Sequence, residues 1–180
     1  MIRTQPPYKT SSQTLSKALA KIGVSQTDQN GVFLTTSTSY TLFFNTITPI
    51  SSVLVCPPPF KKHQFVLNIL YGDTISTEGS LQTFFETILS PTTSTIGSSA
   101  GYCVTISTTD EFQECAFTDT LVGVGAFQYS GPYLNLADKA IQAPVQGVNG
   151  LFTGTFGVNL QVVNADESGE TDYIQICVPL

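Results

Sequence analysis

Gly101-Tyr102-Cys103-Val104-Thr105-Ile106-Ser107, an acidic turn at Thr109-Asp110-Glu111, and Ala116-Phe117-Thr118-Asp119-Thr120-Leu121-Val122 form the stretch on which the fold turns. Two short runs rich in β-branched and aromatic residues, parted by turn residues, read as a hairpin. The same pattern extends both ways. Upstream, Phe65 to Tyr71 ends at Gly72-Asp73, and Ser80 to Leu89 ends before Pro91. Downstream, Gly123 and Gly125 separate the second run from Ala126 to Ser130, and Ala140 to Val145, Gly154 to Val163 and Asp172 to Val178 follow. About eight strands at this spacing, with no helical pattern long enough for a βαβ unit, imply an all-β sandwich or barrel.

The first sixty residues are of another kind. Leu15, Ala18, Leu19 and Ile22 fall at helical spacing and Gly23 follows as a stop, so one short amphipathic helix is expected. Val32 to Ile47 reads as one or two strands, and Pro57-Pro58-Pro59 then forbids regular structure. The boundary is placed there, giving an arm over 1–60 and a body over 61–180. Charge divides the chain in the same place. Residues 1–62 carry six Lys and Arg against Asp28 alone, net +5, whereas the remainder carries Lys139 against twelve carboxylates, net −11.

Charged residues make up 11% of the chain, far below the usual quarter, and Ser and Thr replace them. No apolar run approaches the length of a membrane helix, and Met1 to Gln13 has no hydrophobic signal region. The single histidine, His63, sits between Lys62 and Gln64, so neither a Ser/His/Asp triad nor a zinc site can be assembled; no metal and no cofactor is expected. The acidic body and the few basic residues of the arm argue against nucleic acid as a partner.

Four segments together resemble a known family. Gly101-Tyr102-Cys103-Val104 with Glu114-Cys115-Ala116-Phe117-Thr118, then Gly131-Pro132-Tyr133, then the glycine-rich Gln146 to Gly157, are similar to the core of allene oxide cyclase and dirigent proteins. Ile96-Gly97 and Gly72-Asp73 stand where that family has turns. The resemblance covers residues 65–180. It implies a closed antiparallel eight-stranded barrel, and a lumen that takes a hydrophobic small molecule. Where the family has G-G-T-G this chain has Gly147-Val148-Asn149-Gly150, with Asn149 able to supply the left-handed turn residue.

Cys103 and Cys115 flank the hairpin turn, so they are expected to form a disulfide; Cys56 and Cys177 stay open between a bridge and two thiols. An extracellular or particle-surface location would fit. The cyclase resemblance implies a carboxylate and an asparagine in the lumen. Asn68, sharing a face with Val66 and Leu70, and Glu86, sharing one with Phe84 and Ile88, are the catalytic candidates, with solvated or backbone-satisfied roles as the alternatives. Asp110, Glu111 and Glu114 read as a solvated loop. Whether the chain is an enzyme stays open. The leading expectation is an assembly subunit, whose apolar arm residues Leu15, Ala18, Leu19, Ile22, Phe33 and Phe43 dock on other copies to make a homo-oligomer or filament. The alternative is a cyclase- or dirigent-like barrel that binds a hydrophobic small molecule and steers its cyclisation or coupling.

Overall fold

The computed structural model describes residues 12–24, 26–27, 54–70, 79–90, 93–109, 112–134, 140–163 and 169–180. A helix, α1 (Ser12–Lys21), precedes nine strands: β1 (Gln26–Thr27), β2 (Phe60–Leu70), β3 (Leu81–Leu89), β4 (Thr95–Ser107), β5 (Phe112–Leu121), β6 (Gly125–Leu134), β7 (Ala140–Gly150), β8 (Phe156–Val163) and β9 (Gly169–Pro179). Every sequential pair is antiparallel, and β2 also pairs with β9 along its whole length, from Phe60 opposite Pro179 to Leu70 opposite Gly169. Strands β2 to β9 therefore close an eight-stranded antiparallel barrel, as the resemblance implies.

Closure decides where β2 begins. Phe60-Lys61-Lys62-His63 has no strand-forming composition, but the edge of β9 opposite it would otherwise leave backbone groups unpaired, so the strand starts at Phe60 rather than Phe65. Its other edge is free of β3 until Asn68, where pairing with Leu89 starts. Helix α1 and β1 occupy that gap: β1 pairs with Gln64 and Phe65, and Gly23, just past the helix, lies against Ser90 at the end of β3. Gly23 terminates α1 as expected. It adopts φ +79°, with its amide on the Ala20 carbonyl and the Val24 amide on the Leu19 carbonyl.

Leu15 and Leu19 are fully buried, and Ala18 and Ile22 pack against the barrel's hydrophobic core. Where docking on another copy was expected, within one chain the helix packs on its own barrel. The apolar stripe of the helix is consumed by its own chain, because two to three turns of isolated helix gain stability only from the nearest apolar surface, and the gap beside β2 supplies one. Phe33, Phe43 and the stretch Val32 to Ile47 lie outside the described residues.

Two disulfides are present. Cys103 and Cys115 stand opposite one another in the β4–β5 ladder, Cα atoms 4.1 Å apart. Cys56 is bonded to Cys177 on β9. Beside it the Leu54 amide donates to Gln175 Oε1, so the segment before β2 covers the outer face of β9 and that strand is buried on both sides. Such bridges persist in oxidising compartments.

The glycine-rich segment forms the β7–β8 turn. Asn149 does not supply the left-handed residue: Gly150 does, at φ +60°, while Asn149 Oδ1 accepts from the Ala126 amide and ties the turn to β6. A Cβ on Gly147 would sit 1.6 Å from the Phe152 carbonyl oxygen, so only glycine lets the turn fold back this closely. Ile96-Gly97 is not a turn but part of β4.

Candidate functional site

Strand alternation and register assign the lumen. Phe65, Leu67 and Ile69 of β2 are opposite Ile174, Asp172 and Glu170 of β9, which are flanked in turn by Asn159, Gln161 and Val163 of β8. On the other wall Glu86, Ser99 and Asp119 fall in one register row across β3, β4 and β5, and Phe117 is opposite Tyr129.

At the end of the β5–β6 and β7–β8 turns the interior is aromatic. Phe127 meets Phe152 at 5.0 Å edge-on and Phe65 at 6.0 Å, and all three are buried. A second group lies further along, where Phe117 stacks on Tyr129 at 4.9 Å and contacts Phe84 and Tyr133. Towards the opposite end, Gln113 Nε2 donates to Gln82 Oε1 and Thr105 Oγ1.

Beside these aromatic groups, which meet where Phe127 stacks on Tyr129, lies an acid layer. Asp119, Glu170 and Asp172 are buried to within 1% of full enclosure, and Glu86 is half-buried on the same face. Tyr129 of β6 reaches across to donate its hydroxyl to Asp172 Oδ2 at 2.9 Å, and Gln161 Nε2 donates to Glu170 Oε1 at 3.2 Å. Removal from water disfavours the charged form of each acid. Burial, reinforced by Asp172 and Glu86, pushes Asp119 well above the ordinary carboxylate range; burial, with Asp172, Glu86 and Asp119, does the same to Glu170. Burial raises Asp172 to about 7, its rise restrained by Tyr129 and Asn159. Tyr129 in turn is pushed well up by burial and by the acids around it.

Hydrogen bonding in the layer is incomplete. The Ser99 and Tyr129 hydroxyls lie close enough to favour an ionised Asp119, yet neither carboxyl oxygen of Asp119 completes a well-formed hydrogen bond to a described residue. The Asn159 amide stands likewise near Asp172 with both of its polar atoms unpartnered. The layer therefore offers proton donors and acceptors at one depth of the lumen, with Asp172 able to exchange a proton near neutral pH.

Glu86 faces this layer; Asn68 does not. Asn68 is opposite Thr171 on the outer face of the barrel, and its Oδ1 accepts from Thr171 Oγ1 at 3.4 Å. The face it shares with Val66 is the outer one because Phe65, Leu67 and Ile69 fill the inside. Glu114 is exposed on β5, and Asp110 and Glu111 lie outside the described residues. His63 lies 2.7 Å from Ser12 Oγ, and burial together with Lys61 lowers it to about 4. Among the described residues no group of three or more His, Cys, Asp or Glu has the geometry to hold a metal ion.

No family model and no curated protein matches the chain. Solved structures do. A pterocarpan synthase dirigent protein superposes with a TM-score of 0.55 at 11% identity, over 77% of this chain and 99% of that one. Pyocyanin demethylase gives 0.50 at 14%, over 63% and 98%. A Diels–Alderase from Streptomyces koyangensis gives 0.48 at 12%, over 67% of this chain but only 61% of its own length. The likeness is one of fold.

Proposed function

We propose that the barrel takes a hydrophobic small molecule into its lumen and steers its cyclisation or coupling, with the enclosed carboxyl groups as the chemically active part. The observation that carries this reading is the convergence of Asp119, Glu170 and Asp172 on one depth of the interior, each enclosed and none compensated by a described cation. Soluble barrels rarely bury such groups for stability, because each costs free energy when ionised and is seldom enclosed without a partner. In the proposed mechanism Asp119 and Glu170, held neutral, donate protons or hydrogen bonds to a developing negative oxygen, and Asp172 accepts the proton released elsewhere on the substrate. The aromatic walls fix the substrate's shape and exclude water. The fold shared with a dirigent protein supports the reading without assigning a substrate. A setting outside the cell agrees with the two disulfides.

Carboxyl-carbon NMR tests it. Titrating lipophilic phenols, enones and aromatic amines into protein labelled at Asp and Glu is expected to move the signals of Asp119, Glu170 and Asp172 and leave Glu114 in place. A panel that moves none of the three removes the reading.

Self-association keeps one supporting observation, on a different surface from the arm. Leu81, Phe85, Tyr102 and Ile106 lie exposed on the outer face of β3 and β4, with Phe85 78% exposed. Light scattering of the wild type and Phe85→Lys decides: equal, monomeric masses end the homo-oligomer reading.

A further inference from the structure

We infer that the ligand group seated in the acid layer carries positive charge, a lipophilic aromatic or alkyl amine in protonated or quaternary form held among Asp119, Asp172 and the Phe117 and Tyr129 rings. This rests on the lumen being a ligand site and names the chemistry of what enters it.

The groups facing that position can be counted strand by strand. Glu86 comes from β3, Asp119 from β5, and Glu170 and Asp172 from β9. Tyr129 comes from β6, Ser99 from β4, Asn159 and Gln161 from β8, Ile141 and Ala143 from β7, and Leu67 and Ile69 from β2. None of these is basic. On the same face of β2, His63 lies beyond Phe65, is engaged with Ser12 and is neutral. An anionic ligand would therefore meet the carboxyl groups of Asp119, Glu170 and Asp172, with Glu86 beside them and no basic residue among those facing it. A neutral acceptor needs one donor and leaves the remaining acids facing one another.

A cation uses what the layer leaves over. Asn159, fully buried on β8 and turned to the lumen, has both Oδ1 and Nδ2 unpartnered, Asp119 has two unpartnered oxygens, and Glu170 and Asp172 have one each. With the three acids ionised, these four groups carry more unpartnered oxygens than the Asn159 amide and the Ser99 hydroxyl have hydrogens to offer, the complement of an ammonium. The rings add to this: Phe117 and Tyr129 stack nearly parallel at an interplanar angle of 14°, and Tyr133 and Phe84 border Phe117, giving π-faces and edges next to the carboxyl groups. A bound cation favours the ionised acids, so its uptake expels protons from the layer.

The test compares phenyltrimethylammonium with tert-butylbenzene, which has the same shape without the charge, by calorimetry on the full chain. At about pH 8 the cation is expected to bind about tenfold more tightly than its neutral counterpart, and about threefold or more tighter than it does at about pH 5.5. Asp119→Asn and Glu170→Gln, shown to be folded by circular dichroism, are expected to cut the preference for the cation about fivefold. Tight binding of tert-butylbenzene with no preference for the cation overturns the charge inference and leaves the lumen reading standing. If neither compound binds, both fall. A preference for the cation that survives both substitutions unchanged places it elsewhere and overturns the assignment.

Discussion

One lumen is built by one rule of alternation, yet its two depths are opposites. Near the β7–β8 turn, Phe65, Phe127 and Phe152 fill the interior with side chains whose enclosure drives folding, while on the neighbouring strands β5 and β9 Asp119, Glu170 and Asp172 occupy inward positions at a cost. Neighbouring residues on one strand illustrate it: Ile174 and Asp172 both face inward, two positions apart. The barrel is thus stabilised at one end and strained in the middle, and the strained layer is where function is to be sought.

The largest expected effect separates the two depths by pH. The acids bind protons more tightly folded than unfolded, so stability is greatest below their unfolded pKa values and is lost as pH rises towards the folded ones. For Asp172, at about 7 in the fold, the loss between pH 5 and 7 is about 2 kcal/mol, and Asp119 and Glu170 add to it. Urea unfolding across that range checks this; a flat profile breaks the contrast. Next, Phe127→Ala removes the ring shared by Phe65 and Phe152 and is expected to cost about 3–5 kcal/mol at any pH. A smaller and opposite change comes from Asp119→Asn, which at pH 8 should raise stability by roughly 1–2 kcal/mol and at pH 5 hardly at all, because only the ionised form is penalised. The smallest is Asn68→Ala. Outside the barrel and bonded only weakly to Thr171, it should change stability by less than about 1 kcal/mol and leave lumen binding unaltered.

The sequence made the wall of the barrel easier to read than its contents. Turn residues and strand composition reveal most of the strands, Gly23 marks the helix end, and Cys103 and Cys115 announce a hairpin they indeed cross-link. Closure is harder to see, since Phe60 to His63 joins a sheet only because β9 offers it an edge. The acid layer was partly visible. Asp119 alternates with Phe117 and Leu121, the same signal that singles out Glu86, and that alternation alone places it inside. Glu170 and Asp172 were hidden because β9 is buried on both faces: Gln175 and Cys177 on the outer one are covered by the segment at residues 54–57, which erases the period of two. Asn68 misled for the converse reason, as an isolated polar residue in an apolar run whose orientation depends on a register no local pattern specifies.

The bond between Cys56 and Cys177 turns the barrel into a covalent macrocycle. It joins residues 121 apart, and Phe60 and Pro179 lie paired beside the junction. A protease cut in any connection between β2 and β9 then leaves one molecule of undiminished mass, its two pieces separable only by a reductant. The order of the strands around the wall has become independent of where the polypeptide is opened, so a permuted gene that begins at β5 and runs through a short β9-to-β2 linker specifies the same ring.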